Sequence, residues 1–437
     1  MVKIKQIEEL LRKWNIFNYL KIKYHYMYLL SSKKYNFFWL IFFITLCIGT
    51  ILIIYWSKTI MPIPCEGPAD CVRYTAMFEC FKNNSFNVKI EYPFNIRPLA
   101  PYLASLLSSN PIDGFHLLNG ISIILFICSF FTISKTLKFS YMEFIIFVFW
   151  FIFHPLGVRL YYYIPSLVDP LCYAIYGWLT FFYINKQKVI FLIVLFISFF
   201  AKESFIFIAI ITIVAESILM IYQYCKNKII HYDSLLYIFG VLIIIFIYKV
   251  IQKTVLMKIF PPAQNYELNS IHTILFFLIR VYKDPKLLVV WIGSFFMATG
   301  CFNVLIFGKL NKLKEICKNR ELMFLFFGTI GFIVLGLIAG SDMSRIIFHG
   351  IIFIICFLFY LNHYLNKSYL LLIWIVSITS VLNANIILSS YHIEYDYYIF
   401  KRLDRIIYFI AINVFFMLLL ILIKKYLFNG KLKILNK

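Results

Sequence analysis

Apolar runs, most of about 16 to 22 residues, recur along the whole chain and are separated by short polar stretches. Runs of this length span a hydrocarbon core about 30 Å thick. They fall at 36–56, 115–134, 143–158, 166–184, 189–201, 204–223, 234–251, 287–308, 321–340, 346–361, 369–389 and 406–423. The pattern predicts an all-α, polytopic transmembrane helical bundle of about 12 spans. The run at 189–201 is short and fits a tilted or re-entrant segment. Two further apolar segments do not suit crossing: Leu99 to Leu107 is too short, and Ile271 to Val281 is flanked by charge and by Pro285. Both read as interfacial helices on the outer face. The longest polar interruption, 57–114, is the expected outer catalytic loop of a transmembrane domain covering 36–425.

Composition agrees with the pattern: 62% of the 437 residues are hydrophobic and 14% are charged. A net charge of +22 raises the question of nucleic acid. However, the Lys and Arg residues sit in small clusters between apolar runs, the pattern that orients helices in a bilayer, so no nucleic-acid partner is expected. Alternating the spans puts Lys33/Lys34, Lys135/Lys138, Lys186/Lys188, Lys226/Lys228, the Lys309 to Arg320 cluster, Lys367 and Lys424/Lys425 on one face. The positive-inside rule makes that face cytoplasmic and places both termini there. Residues 1–35 form a basic segment with Ile4, Ile7, Leu10, Leu11, Trp14 and Leu20 at helical spacing, suited to an anionic membrane face or to a plain basic tail. Residues 426–437 are a second basic tail. The first apolar run lacks a small-residue cleavage site and reads as an uncleaved span. Cys65, Cys71 and Cys80 share the outer loop, where one disulfide leaves a third thiol over. The other cysteines have no metal-ligand spacing.

The carboxylates concentrate on the face opposite the basic clusters, so candidate chemistry is sought there. Asp70 and Glu79 lie in the first outer loop with Arg73 and Tyr74. A carboxylate there can accept a proton from an attacking hydroxyl, and a pair can hold a divalent ion such as Mg or Mn. Arg97 precedes Pro98 at the start of the short Leu99 helix, where a guanidinium fork and helix N–H groups suit phosphate oxygens. Lys202 and Glu203 occupy a tight turn between two apolar runs, a costly placement unless both charges find partners. His154 to Pro170 encloses Arg159 and Tyr161 to Tyr163, which read as interfacial anchors, and Asp169, which has a plain reading as a helix N-cap. Asp342 and Arg345, with His349 one turn on, either pair with each other at i, i+3 or bind a phosphate headgroup. His392, Glu394 and Asp396 form a weaker polar cluster. No phosphate loop, dinucleotide fingerprint, zinc-protease or nucleophile-elbow motif is present.

In this layout the chain resembles the membrane-embedded GT-C glycosyltransferases. The likeness rests on the first-loop Asp70, the helix after Arg97, the Asp169-Pro170 span entry, the Lys202-Glu203 turn and the Asp342 to Arg345 turn. The resemblance implies an inverting sugar transfer on the outer face, from a polyprenyl-phosphate carrier to a glycan, lipid or protein acceptor. In that scheme Asp70 is the general base, and Arg97, Lys202 and Arg345 hold the carrier phosphate. Cys71 follows Asp70 where several such families carry a second acid, which leaves a divalent cation open. A bacterial inner membrane is the setting this implies. The rival readings are a polysaccharide or lipid-linked-oligosaccharide flippase or other transporter, and an outer-face polysaccharide polymerase. Against the transporter stand the long first outer loop and the absence of an internal repeat.

Overall fold

The computed structural model describes residues 69–86, 88–159, 161, 164–228, 232–263, 279, 282–308, 316, 318–338, 343–362 and 403–423. The chain divides into two units, Met1–Lys58 and Thr59–Lys437, and all of these residues belong to the second. Outside them lie the basic segment 1–35, the runs at 36–56 and 369–389, most of Ile271 to Val281, the tail 426–437, Cys65, Asp342, and the His392, Glu394 and Asp396 cluster.

Every named element among the described residues is helical. In chain order they are α1 (Ala69–Lys82), α2 (Leu99–Leu107), α3 (Pro111–Thr136), α4 (Tyr141–Phe153), α5 (Asp169–Ile184), α6 (Lys188–Ser198) and α7 (Phe205–Asn227). Then come α8 (Tyr232–Ile251), α9 (Lys286–Thr299), α10 (Arg320–Ile338), α11 (Met343–His349), α12 (Ile351–Leu361) and α13 (Leu403–Ile423). A π-type turn, Gln252–Leu256, carries α8 on to Ile259. Six of these helices are long and apolar enough to cross a membrane: α3, α7, α8, α10, α13, and α9 together with the 3-10 turns that carry it on to Leu305. A seventh crossing is made if α11 and α12, bent by 58° at Gly350, count as one span. These helices mark the chain as a membrane protein.

Three of the expected spans are shorter than a crossing requires. α4 has 13 residues, α5 has 16 and α6 has 11. α4 stops because Pro155 has no N–H to continue the ladder and drives His154 into an extended conformation (φ −69°, ψ 133°). α5 opens at Asp169-Pro170, where proline suits the first turn. α6 gives way to the Phe199 to Ser204 turn, whose N–H groups bond back to carbonyls three or four residues earlier. The starts of the helices follow local chemistry. Asn110 caps α3 by accepting from the Ile112 N–H at 2.8 Å. Ser140 and Glu143 form a reciprocal capping box at α4, which explains how Glu143 is buried.

The core lies between α3, α4, α5 and α11. Phe126 and Phe151 have ring centroids 4.6 Å apart, Phe130 and Phe147 are at 4.2 Å, and Trp150 and Tyr173 close on Phe348. In a bilayer such rings gain by close packing between helices rather than by leaving water. The α3–α5 approach is set by Gly177, where a Cβ would stand 2.0 Å from Ser129 Oγ.

The stretch expected as a polar outer loop is largely helical. α1 carries a buried stripe of Cys71, Tyr74, Met77 and Phe78, spaced to face one side of a helix, and this stripe packs into the bundle. α2 forms as expected, with Tyr102, Leu106 and Leu107 exposed along it.

Candidate functional site

Two parallel helices of unequal length set the depth of the site. α3 and α5 are level at one end, where Asn185 Nδ2 lies 3.4 Å from Thr136 Oγ1. α3 has 26 residues and α5 has 16. At 1.5 Å per residue, Asp169 at the head of α5 therefore sits about 15 Å below the N-terminus of α3. Asn119, two turns into α3, confirms the level by donating to the carbonyls of Pro165 and Leu167 at 2.7 and 3.2 Å.

Three other segments reach the same depth. The first turn of α1 is held there by Ser166, whose hydroxyl contacts the Cys71 sulfur. Cys71 is disulfide-bonded, while Cys80 is a buried free thiol. The α6–α7 turn arrives because α6 is packed on α5, and Tyr176 on α5 bonds Ser204 at 2.8 Å and stacks on Phe205 at the head of α7. The start of α2 follows, since the Leu99 N–H donates to Phe200 O at 3.0 Å. The turn before α2 is tied on its other side to the end of α8, with Asn95 donating to Phe260 O at 3.2 Å and Ile90 N–H to Pro261 O at 3.0 Å.

Asp169 is the hub. Its side chain has no exposed surface, and Lys202 Nζ and His349 Nε2 both lie 2.7 Å from Oδ1. Arg345 Nε lies 2.8 Å from Oδ2, but Oδ2 accepts no aligned hydrogen bond, so this contact is an ion pair rather than a directed bond. Arg345 also reaches Asp70, with Nη2 at 3.4 Å from Oδ2. Beside this core, Arg97 closes a two-point fork on the Glu203 carboxylate and holds Tyr74 Oη at 3.3 Å. Both Arg97 and Arg73 stack on Phe94, each guanidinium 4.8 Å from the ring centroid, and Arg73 pairs with Glu91.

Electrostatics separate the fixed from the accessible groups. Burial disfavours the Arg97 charge, yet Glu203 and Tyr74 more than restore it, and its pKa stands above the ordinary arginine value. Enclosure by protein pushes the Glu203 carboxyl up, but Arg97 outweighs this and holds it below the usual carboxylate range. The Tyr74 phenol is pushed up by burial, which keeps it a neutral hydrogen-bonding group. Water still reaches three carboxylates, for the side chains of Glu91, Glu203 and Asp70 are 48%, 40% and 25% exposed. Among the described residues the recess thus holds four cations, Arg73, Arg97, Lys202 and Arg345, against four carboxylates, Asp70, Glu91, Asp169 and Glu203.

The structure brings together Asp70, Arg73, Tyr74, Arg97, Asp169, Lys202, Glu203 and Arg345, which come from well-separated parts of the chain. Glu79 is not among them. It is exposed on α1 and receives Asn83, and nine residues of helix put it about 13.5 Å along the axis from Asp70. The two carboxylates therefore form no shared divalent site, and among the described residues no group of three or more His, Cys, Asp or Glu fits a metal ion. Asp169 is not the N-cap of α5. Val168 holds that place without a side-chain cap bond, and Asp169 instead points into the cation cluster. Lys202 and Glu203 do not pair with each other, because the turn aims them at Asp169 and Arg97 respectively. Arg345 is taken by Asp169 and Asp70, while Asp342 lies outside the described residues. Tyr161 is no interfacial anchor, since it is buried against Tyr173. His154 is structural: Nδ1 accepts the Leu156 N–H at 3.1 Å and Nε2 donates to Met297 O at 2.8 Å.

Sequence reasoning missed a second polar cluster. Buried Glu216 on α7 accepts from Tyr183 Oη at 2.6 Å and from Arg320 Nε at 2.7 Å. Arg320 lies over the Tyr237 ring at 4.7 Å. Tyr183 is fourteen residues along α5 from Asp169, so the clusters are about 21 Å apart. The available signal was a lone glutamate in the middle of the 204–223 apolar run. Compared with protein-family models, curated proteins and solved structures, the chain gives no match.

Proposed function

We propose that the chain is an integral-membrane glycosyltransferase of GT-C type, moving a sugar from a polyprenyl-phosphate carrier to a glycan, lipid or protein acceptor. The observation that carries this reading is the meeting of Asp70, at the head of α1, with Arg345 in a recess also lined by Lys202 and Arg97. A partly accessible carboxylate beside several fixed cations is the arrangement an inverting transfer needs.

In this reading the acceptor hydroxyl attacks the anomeric carbon while Asp70 takes its proton. The bond from the anomeric carbon to the carrier phosphate breaks, and its electron pair leaves on the phosphate. Arg345, Lys202 and Arg97 offset the charge that develops there. Asp169 positions Lys202 and Arg345, and Glu203 positions Arg97. The recess carboxylates Asp70, Glu91, Asp169 and Glu203 already face cations, and protein cations alone offset the charge of the step. About twelve spans, with both termini cytoplasmic and the recess opening to the outer face of a bacterial inner membrane, complete the proposal.

One observation favours a transporter as second reading: Arg345 and His349 sit on α11, the short arm of a helix broken by 58°. Broken helices carrying charge are a device of secondary transporters. Both readings are tested by supplying labelled polyprenyl-phosphate sugars to proteoliposomes containing the wild type or Asp70→Asn. The transferase predicts labelled product from the wild type and loss of product in a correctly inserted Asp70→Asn protein. Movement of lipid-linked sugar between leaflets with no new glycosidic bond, equal in both proteins, would reject it in favour of the transporter.

A further inference from the structure

Of the four carboxylates in the recess, Glu203 combines two properties the others lack together. Its partner is a nearly buried cation, for Arg97 is only 8% exposed, while Glu203 itself is 40% exposed. Asp169 is fully enclosed, Asp70 shares its cation with Asp169, and Glu91 pairs with the more open Arg73. Arg97 is also immobilised by groups other than Glu203: its guanidinium lies on Phe94, and Nη1 holds Tyr74 Oη. Its two remaining donor positions, Nε and Nη2, form a planar fork that grips the Glu203 carboxylate at two points. That fork matches two oxygens of a phosphate as well as it matches a carboxylate.

Charge balance gives the reason for an exchange. Among the described residues the recess is neutral as it stands, so a phosphate monoester entering it brings one to two uncompensated negative charges unless a carboxylate withdraws. Glu203 costs less to release than Asp70 or Asp169, because water reaches it more and its backbone lies in a turn outside any helix; Glu91 is more exposed still, but its Arg73 is more open and makes a weaker anion site. Its departure without a replacement would strand the Arg97 charge, so the exchange runs only when an anion arrives.

We propose that Glu203 is the resident counter-anion of a phosphate site: it occupies the Arg97 fork until a phosphate monoester, such as the headgroup of a polyprenyl phosphate, displaces it. This rests on the reading above as to the class of ligand, but not on any chemistry of transfer. The site selects for anions that fit the fork at two points and leaves the apolar chain of a lipid to the surrounding helices.

The test uses the purified full-length chain in dodecyl maltoside, with farnesyl phosphate, inorganic phosphate and neutral farnesol as probes. Carboxyl groups of the wild type are amidated with a carbodiimide and glycine ethyl ester, and labelling at Glu203 is read by mass spectrometry. Farnesyl phosphate is expected to raise Glu203 labelling several-fold and farnesol to leave it unchanged. An equal rise with inorganic phosphate assigns the site to free phosphate, and a rise with farnesyl phosphate alone assigns it to a lipid headgroup. Either result supports the exchange, whereas unchanged or reduced labelling with both anions overturns it. In a second arm, calorimetric titration of Glu203→Gln is expected to show binding tighter by about tenfold or more, since one charge-assisted partner of Arg97 no longer competes. Equal or weaker binding by Glu203→Gln overturns the proposal. Sugar transfer without any change at Glu203 would sink this inference alone, and exchange at Glu203 without transfer would sink the transferase alone.

Discussion

Asp169→Asn is the sharpest probe of the recess because it changes one charge and almost no volume. Lys202 Nζ and Arg345 Nε stand 2.7 and 2.8 Å from the carboxylate. At an effective dielectric of about 20, each pair has a gross attraction of about 6 kcal/mol, most of which is cancelled by the desolvation of both partners. What the substitution exposes is the other half of that balance, for two cations remain in place and the new amide nitrogen presents a donor to one of them. Removing one partner of a buried pair costs about 3–5 kcal/mol. Arg345 retains Asp70 at 3.4 Å, and the side chains of Lys202 and Arg345 keep 11% and 17% of their surface accessible. The expectation is therefore the low end, about 3 kcal/mol, or roughly a hundredfold in the folded-to-unfolded ratio. Reversible unfolding of the full-length chain in mixed micelles, titrated with a denaturing detergent, measures it. The double variant Asp169→Asn with Lys202→Met removes the stranded ammonium and is expected to recover part of the loss. An Asp169→Asn protein within about 0.5 kcal/mol of wild type, the range of ordinary surface changes, would refute the view that Asp169 holds the cluster.

The same logic applies 21 Å away, as judged from the about 1.5 Å rise along α5. Arg320→Met strands the buried Glu216 and is expected to cost about 3 kcal/mol in the same unfolding assay, with Glu216→Gln in that background returning part of it; a cost below 1 kcal/mol would count against a paired charge there. Phe94→Leu removes the ring under both Arg73 and Arg97 and is expected to lower stability by about 1–2 kcal/mol, at roughly 0.5–1 kcal/mol per cation contact; an unchanged unfolding midpoint would show that the stacking carries no energy. Because Arg97 holds the folded-state pKa of Glu203 below its unfolded value of about 4.3, the carboxylate contributes stability above that value, and this is lost as pH falls through the depressed folded pKa. Unfolding midpoints measured from pH 6 down to pH 3 should therefore decline less steeply in Glu203→Gln than in wild type, by a small amount given the exposure of the side chain; identical slopes would contradict the pairing.

The class of the protein was legible from the residues alone, because crossing a bilayer demands long apolar runs and nothing local competes with that demand. The runs at 115–134, 204–223, 234–251, 287–308, 321–340 and 406–423 all correspond to long helices. The short helix at Leu99 was legible from its length and bounding prolines. Of the site, Asp70, Arg97, Asp169, Lys202, Glu203 and Arg345 stood out as charges that a mostly apolar chain has to account for.

Their pairing was not legible. Lys202 and Glu203 are neighbours in sequence, and Asp169 sits where a cap belongs, yet Lys202 meets Asp169 from 33 residues away and Glu203 meets Arg97 from 106 residues away. Local rules of spacing rank i, i+3 and N-cap contacts first, since they need no knowledge of the fold. Around the fully enclosed Asp169 and the nearly buried Arg97, the larger energy of pairing buried charges outranks them. α1 was missed for a related reason: Cys71, Tyr74, Met77 and Phe78 face one side of a helix, but polar neighbours hold the average hydropathy too low to announce it. Composition and periodicity determined that this chain is a helical membrane protein. The unequal lengths of α3 and α5, which sink Asp169 about 15 Å below the head of α3, decided which of its acids meet which bases. A sequence records which charges must be compensated, and only packing in three dimensions brings the compensating groups within reach.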